Sequence, residues 1–148
     1  MRVGDIIDLG NVVVGLRVSD KGQLLHELAS RAGRILTLDP WLIFDALQAR
    51  EQLGSTGLGK GFALPHARLE ALDTRFALFV RLARPIEFTA IDGLPVDLVV
   101  LLLTPASMAN EHLALLATLA RPLRDERFLQ RLRAAPDANA LHQLLADV

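Results

Sequence analysis

Apolar positions along the chain follow two rhythms, one with the period of a strand and one with that of a helix. Val12 to Val18 (VVVGLRV) is rich in β-branched residues and predicts a strand, with Gly15 inside it. Asp20 then opens a helix. Gln23 stands three residues on, the spacing of a capping box with Asp as the cap, and Leu24, Leu25, Leu28 and Ala32 supply the apolar stripe. Asp39-Pro40 is a second start signal, an acidic cap before a proline at the first helical position. That helix is expected from about Pro40 to Glu51, with Leu42, Ile43, Ala46 and Leu47 facing inward and Gly54 ending it.

Gly54 to Gly61 (GSTGLGKG) reads as a loop and Gly61 to Leu64 as a short strand stopped by Pro65. Arg75 to Leu82 (RFALFVRL) and Val96 to Leu103 (VDLVVLLL) read as strands. The second is apolar on both faces, the mark of a central strand covered by helices on both sides. Helices are expected from about Met108 to Leu123, Asp125 to Ala134 and Asp137 to Ala146. Strands alternating with helices indicate an α/β fold, a mixed sheet sandwiched between helices.

The chain has 148 residues, which fits a single domain over 1–148, and 51% of them are hydrophobic, enough for one sizeable core. Net charge is −1 with no basic block, so nucleic acid is not an expected partner. With no cysteine, disulfides, thiolate metal sites and cysteine nucleophiles are all excluded, which fits a reducing compartment. The longest apolar run, Leu98 to Leu103, is far short of the roughly 18 residues of a membrane span, so no membrane insertion is expected. Met1 to Leu9 carries Asp5 and Asp8 and lacks the apolar core of a signal peptide. A cytoplasmic protein is the expectation.

The segment Gly54 to Arg68 (GSTGLGKGFALPHAR) concentrates the candidate chemistry. Its glycines give a backbone able to approach a ligand closely. Pro65 cannot donate in a sheet ladder, so His66 is expected just past a strand end, and strand ends in open α/β sheets are common sites of function. An ordinary histidine pKa near 6.5 leaves roughly three-quarters of the ring neutral at pH 7, and a neutral imidazole can attack phosphorus. On the histidine alone, a polar residue that merely ends a strand fits as well. His112 falls on the inward stripe of its helix, with Leu116, Leu119 and Leu123 following. It reads either as a satisfied histidine at the core edge or as a donor to a phosphoryl group on His66. Arg50 lies near the end of its helix, where it can pair bidentately with phosphoryl oxygens or simply complement the helix C-terminus. Ser55 and Thr56 offer hydroxyl donors but are also ordinary turn residues.

Other motifs fall away. Gly59-Lys60-Gly61 lacks the Ser/Thr of a phosphate-binding Walker loop, and Gly57-x-Gly59-x-Gly61 precedes a strand where a dinucleotide fingerprint follows one. Ser55 has no G-x-S-x-G frame. His26 and His142 are isolated on helices and read as structural or solvated. No histidine pair has helical metal-ligand spacing, which disfavours a metallohydrolase and leaves no metal expected.

Glu51 to Ala67 (EQLGSTGLGKGFALPHA) resembles the signature of enzyme IIA of the fructose/mannitol/nitrogen-regulatory class of the bacterial phosphotransferase system. The matching positions are Glu51, Leu58, Gly59, Phe62, Ala63, Leu64, Pro65, His66 and Ala67. Many members have glycine where Ala67 stands, a variation the pattern tolerates. Pro85 to Leu103 resembles the family's central segment, and Asn110 to Ala120 (NEHLALLATLA) its helix with the second active-site histidine. The resemblance covers roughly residues 10 to 146.

The resemblance implies that His66 is the phosphorylated residue, that His112 lies beside it, and that Arg50 stabilises the phosphate. It implies an HPr-like phosphocarrier as donor, a IIB domain or regulated target proteins as partners, and no cofactor. The GSTGLGKG loop is closer to nitrogen-regulatory or fructose-type members than to mannitol-type ones. The expected function is a nitrogen-regulatory phosphocarrier acting on targets through its phosphorylation state. The alternatives are a sugar-transport IIA component serving a IIB domain and a IIA-like binding module that transfers nothing.

Overall fold

The computed structural model describes all 148 residues. In chain order the elements are α1 (Val3–Ile6), β1 (Val12–Leu16), α2 (Lys21–Leu36), α3 (Pro40–Gln52), β2 (Gly57–Gly59), β3 (Phe62–Ala63), β4 (His66–Leu69), β5 (Phe76–Ile86), β6 (Val96–Pro105), α4 (Ala109–Ala120), α5 (Glu126–Ala134) and α6 (Ala138–Ala146). Short 3-10 turns lie at Leu9–Asn11 and Pro122–Arg124. No helix is long and apolar enough to cross a membrane.

The strands form one mixed sheet in the order β1-β5-β6-β3-β2, with β4 also paired to β6. β6 runs antiparallel to β5 and parallel to β3 and β4. It is apolar in both directions, and Leu98 to Leu103 are all fully buried. Val99, Leu101 and Leu103 pack with Leu24 and Leu28 of α2 and Ile43 and Leu47 of α3. Leu98, Val100 and Leu102 pack on the other face with Leu119, Leu129 and Leu141 from α4, α5 and α6. Two cores on one sheet give the helix–sheet–helix sandwich that the continuous apolar run anticipates.

The acidic caps form as the sequence suggests. Asp20 accepts from Gln23 N at 2.8 Å, and Asp39 from Trp41 N at 3.0 Å. Asp125 and Asp137 cap α5 and α6 in the same way. Gln23 completes its box one residue out, accepting from Ser19 N.

Several expectations need correction. Leu42 is exposed, and the buried face of α3 is set by Ile43 and Leu47. Adjacent helical residues point about 100° apart, so an apolar pair cannot both face inward equally. α4 stops at Ala120, before Leu123, because Pro122 has no N–H for the ladder and starts a separate turn. The glycine loop contains β2, which folds back antiparallel on β3. Glycine is needed at 57 because β2 also lies against the segment that follows β5: an added Cβ would lie 2.7 Å from Ala90 Cβ and 2.8 Å from Ala90 Cα.

Pro65 divides the strand instead of ending it. β3 and β4 run along the same side of β6, Phe62 opposite Leu98 and His66 opposite Leu102. Between them the Pro65 carbonyl still accepts from Leu102 N at 3.0 Å. His66 therefore stands past the end of β3, as expected, but as the first residue of a second strand.

Candidate functional site

The site assembles from the last turn of α3, the β3–β4 junction and the first turn of α4. In α3, Arg50 and Glu51 follow Ile43 and Leu47 at helical spacing, so the buried face continues into them at the sheet edge. Arg50 Nε donates to Nε2 of His66 at 3.2 Å, and Arg50 Nη1 donates to the Gly54 carbonyl at 2.8 Å. The guanidinium is thus held at two points. It faces the imidazole while also gripping the loop just past its own helix.

His66 is fixed from its other nitrogen. Nδ1 lies 2.7 Å from the Leu64 carbonyl, which can only accept, so Nδ1 carries the proton. Nε2 is left with its lone pair toward Arg50. Burial pushes the His66 pKa below its ordinary value. The Leu64 carbonyl and Glu51 pull it up, while the Arg50 charge pushes it further down.

His112 lies on the buried face of α4, with Leu115 and Leu119. Its ring centre is 5.4 Å from that of His66, with the planes tilted by 49°. Nδ1 lies 2.6 Å from the hydroxyl of Thr104 on β6. Burial, then the charges of His66 and Arg68, push its pKa down to about 4. Both rings are therefore neutral at pH 7.

Arg50, His66, Arg68 and His112 line an open cleft of about 830 Å³. Leu53 and Leu113, 85% and 66% exposed, stand on its wall. The cleft thus has a polar floor and an apolar wall, and its permanent charges are two guanidiniums and Glu70.

The hydroxyls of Ser55 and Thr56 are engaged in holding the glycine loop. Ser55 Oγ donates to the Phe88 carbonyl at 3.2 Å and accepts from Gly57 N at 3.1 Å. Thr56 offers both its N–H, at 3.1 Å, and its hydroxyl to the Glu51 carboxylate. Glu51 in turn pairs with Lys21 at the start of α2, 2.8 Å away, and Lys21 reaches the Phe88 carbonyl at 3.3 Å. Ser55 and Thr56 border a smaller recess shared with Arg50 and His66.

The structure thus brings His66, His112 and Arg50 together, with Ser55 and Thr56 beside them in the supporting loop. His26 packs edge-on against Trp41 and Phe44, and His142 bonds the Ile7 carbonyl at 3.0 Å, both outside the cleft. Sequence reasoning passed over Thr104, Arg68 and the Lys21–Glu51 pair as site residues. Thr104 was detectable as the polar residue that follows a fully apolar run on a central strand. Lys21 carried no local signal, because its partner lies 30 residues away in the next helix. No cluster of three His, Asp or Glu side chains has the makings of a metal site.

Known proteins resemble this chain throughout its length. The family model for the phosphoenolpyruvate-dependent sugar phosphotransferase system, EIIA 2, matches residues 5–148. The chain is 42% identical to the nitrogen regulatory protein of Bradyrhizobium diazoefficiens over 146 residues, covering 99% of this chain and 95% of that one. It is 40% identical to the nitrogen regulatory protein of Pseudomonas aeruginosa, covering 100% and 97%. The crystal structure of the nitrogen regulatory protein IIA-Ntr from Neisseria meningitidis superposes with a TM-score of 0.91 at 34% identity, covering 97% of this chain and 98% of that one. With a family match over nearly every residue, and relatives of this identity along the whole chain, the protein belongs to the EIIA 2 family of the phosphoenolpyruvate-dependent phosphotransferase system.

Proposed function

We propose that the protein accepts a phosphoryl group on Nε2 of His66 from an HPr-like phosphocarrier in the cytoplasm, and that its phosphorylation state regulates target proteins. The observation that carries this reading is the double anchoring of His66. Its Nδ1 proton is held by the Leu64 carbonyl while the Nε2 lone pair is left for attack, facing Arg50.

The reaction is an in-line exchange between two imidazoles. The Nε2 lone pair of His66 forms the new N–P bond as the N–P bond of the donor phosphohistidine breaks, and the donor ring keeps that electron pair. His66 retains its Nδ1 proton, so its ring becomes a cation beside the dianionic phosphoryl group, and no net proton transfer is required. The donor is already a phosphoramidate, so neither nucleotide nor metal is needed. The protein's contribution is positioning and charge stabilisation. Arg50 turns its donors from Nε2 to the equatorial oxygens, and His112 supplies a further N–H. Ser55 and Thr56 hold the loop at which Arg50 is anchored. Leu53 and Leu113 give a protein partner an apolar surface beside the reacting atoms.

Regulation is favoured over sugar transport by the full-length likeness to nitrogen regulatory proteins. The phosphoryl group adds about 1.5 to 2 negative charges at neutral pH. Set against the apolar wall, that charge changes which partner docks. The family's sugar phosphotransferase name favours a second reading, onward transfer to a IIB domain.

The test is intact-mass spectrometry at neutral to mildly alkaline pH after incubation with phosphoenolpyruvate, enzyme I and an HPr-like carrier. One acid-labile phosphoryl group is expected on the wild type and none on His66→Ala. Equal labelling of the variant would overturn the assignment. Labelled protein that passes its phosphoryl group rapidly to a IIB domain would favour the transport reading. No gain by the wild type would leave a binding module.

A further inference from the structure

His112 presents a question that its own helix does not answer: which ring nitrogen carries the proton. The adjacent group is Thr104, fully buried in β6 at the end of an otherwise apolar run. Its hydroxyl meets Nδ1 of His112 at 2.6 Å and has no other partner. A hydroxyl can donate once and accept twice, whereas a neutral imidazole nitrogen does only one or the other. If Nδ1 carried the proton, the Thr104 hydroxyl would accept it and its own hydrogen would be buried without an acceptor. If the hydroxyl donates to Nδ1, every group is satisfied, and the ring proton must sit on Nε2. No buried side-chain polar atom in the protein lacks a partner. Nε2 of His112 has none within the chain, so it must open to solvent, which it reaches through the cleft shared with His66.

We infer that Thr104 is a positioning residue: its hydroxyl fixes the orientation and the tautomer of His112, so that an N–H donor faces the phosphoryl group carried by Nε2 of His66. The inference rests on the proposed function, since it concerns a donor to that group. The low pKa of His112 agrees with a neutral ring of defined tautomer. Thr104 belongs to the most deeply buried strand of the sheet, which gives the donor a rigid mount. It acts only through His112 and touches no reacting atom.

The experiment labels the histidines with nitrogen-15 and reads each ring nitrogen by long-range nitrogen–proton correlation at pH 7.5, alongside the rate of phosphoryl transfer from the HPr-like carrier. Wild-type His112 should show one tautomer, protonated on Nε2. Thr104→Val keeps the shape and loses the donor. It should show tautomer averaging at His112 and a transfer rate lowered about tenfold. That is less than the roughly hundredfold cost of losing a preorganised donor, because Nε2–H remains partly populated. Thr104→Ser should restore both signals, which a packing role for the lost methyl would not. A wild-type His112 protonated on Nδ1 would overturn the inference, and so would a Thr104→Val protein that keeps a single tautomer and the wild-type rate. A wild type that takes no phosphoryl group would overturn the proposed function itself, and that control tells the two failures apart.

Discussion

Arg50 Nε and His66 Nε2 are 3.2 Å apart, so the ring nitrogen without a proton is also the one that faces a permanent positive charge. The contact has two effects. It opposes protonation of the ring and so favours the neutral imidazole, the form the proposed attack requires. It also occupies the lone pair until an incoming phosphoryl group offers the guanidinium better acceptors. The resting contact therefore already holds the cation where the proposed phosphoryl group would bring negative charge.

Removing that cation should be costly. Arg50→Met is expected to lower the rate of phosphoryl transfer to His66 by about a hundredfold, the scale of losing one preorganised donor at a charged centre. Arg50→Lys should recover only part of the rate, because a single ammonium cannot reproduce the planar fork. Rapid-quench transfer from the phosphorylated carrier measures both. A lysine variant at full rate would show that charge without geometry is enough.

His112→Ala should slow acceptance while leaving it measurable, since Arg50 and the His66 nucleophile remain in place. The same rapid-quench assay decides the matter. An unchanged rate would leave His112 with no part in transfer.

The two histidines also give stability a defined pH dependence. In the unfolded chain His112 takes up a proton near pH 6.5, but in the fold only near pH 4. Between these values the unfolded state binds more protons, so stability falls as pH drops through that window. The lowered pKa of His66 acts in the same direction. Urea midpoints measured from pH 7 to pH 4 should fall more steeply for the wild type than for His112→Asn. Phosphorylation should raise the His112 pKa, because a neighbouring dianion favours the imidazolium, and a proton NMR titration of the two forms would reveal the shift.

Glu51, its side chain only 6% exposed, holds Lys21 and both donors of Thr56 through its carboxylate. Glu51→Gln leaves Lys21 without its counter-charge and should cost about 2 kcal/mol. For a chain of this length that corresponds to a fall of about 4–8 °C in Tm, checked by calorimetry. Transfer should slow as well, since the loop that anchors Arg50 through Gly54 is loosened.

Gly57→Ala tests the close approach of β2 to Ala90. The new methyl would meet the Ala90 backbone, which cannot swing aside as a flexible side chain could. A loss of about 1–3 kcal/mol is expected from overpacking, whereas Gly10→Ala, where the added carbon meets nothing, serves as the control.

Most of the architecture was legible because its signals are local. Asp20, Asp39-Pro40, Asp125 and Asp137 mark helix starts with side chains that satisfy backbone donors at their own positions. Leu98 to Leu103 declares its central place by being apolar in both directions. What escaped depends on distant partners. α1 spans only four residues, too few for a periodic pattern. β2 is two-thirds glycine, a poor strand former held there by β3. β4 follows a proline, and only its pairing with Leu102–Pro105 of β6 shows why the ladder resumes at His66. The proximity of His66 and Arg50 was to be expected from the long ordered resemblance around Pro65-His66. The hydrogen bonds that hold them were not, because Leu64 and Gly54 act through backbone carbonyls.

His66 is laced to β6 opposite Leu102, on the strand that both cores share. A residue mounted there cannot move far without disturbing the middle of the molecule. Gaining or losing a phosphoryl group should thus leave the backbone nearly still, giving two chemical states with one shape. Whatever distinguishes them must sense the local field and the blocked surface at the cleft directly, so discrimination depends on contact with the modified residue and not on a rearrangement transmitted to a remote face.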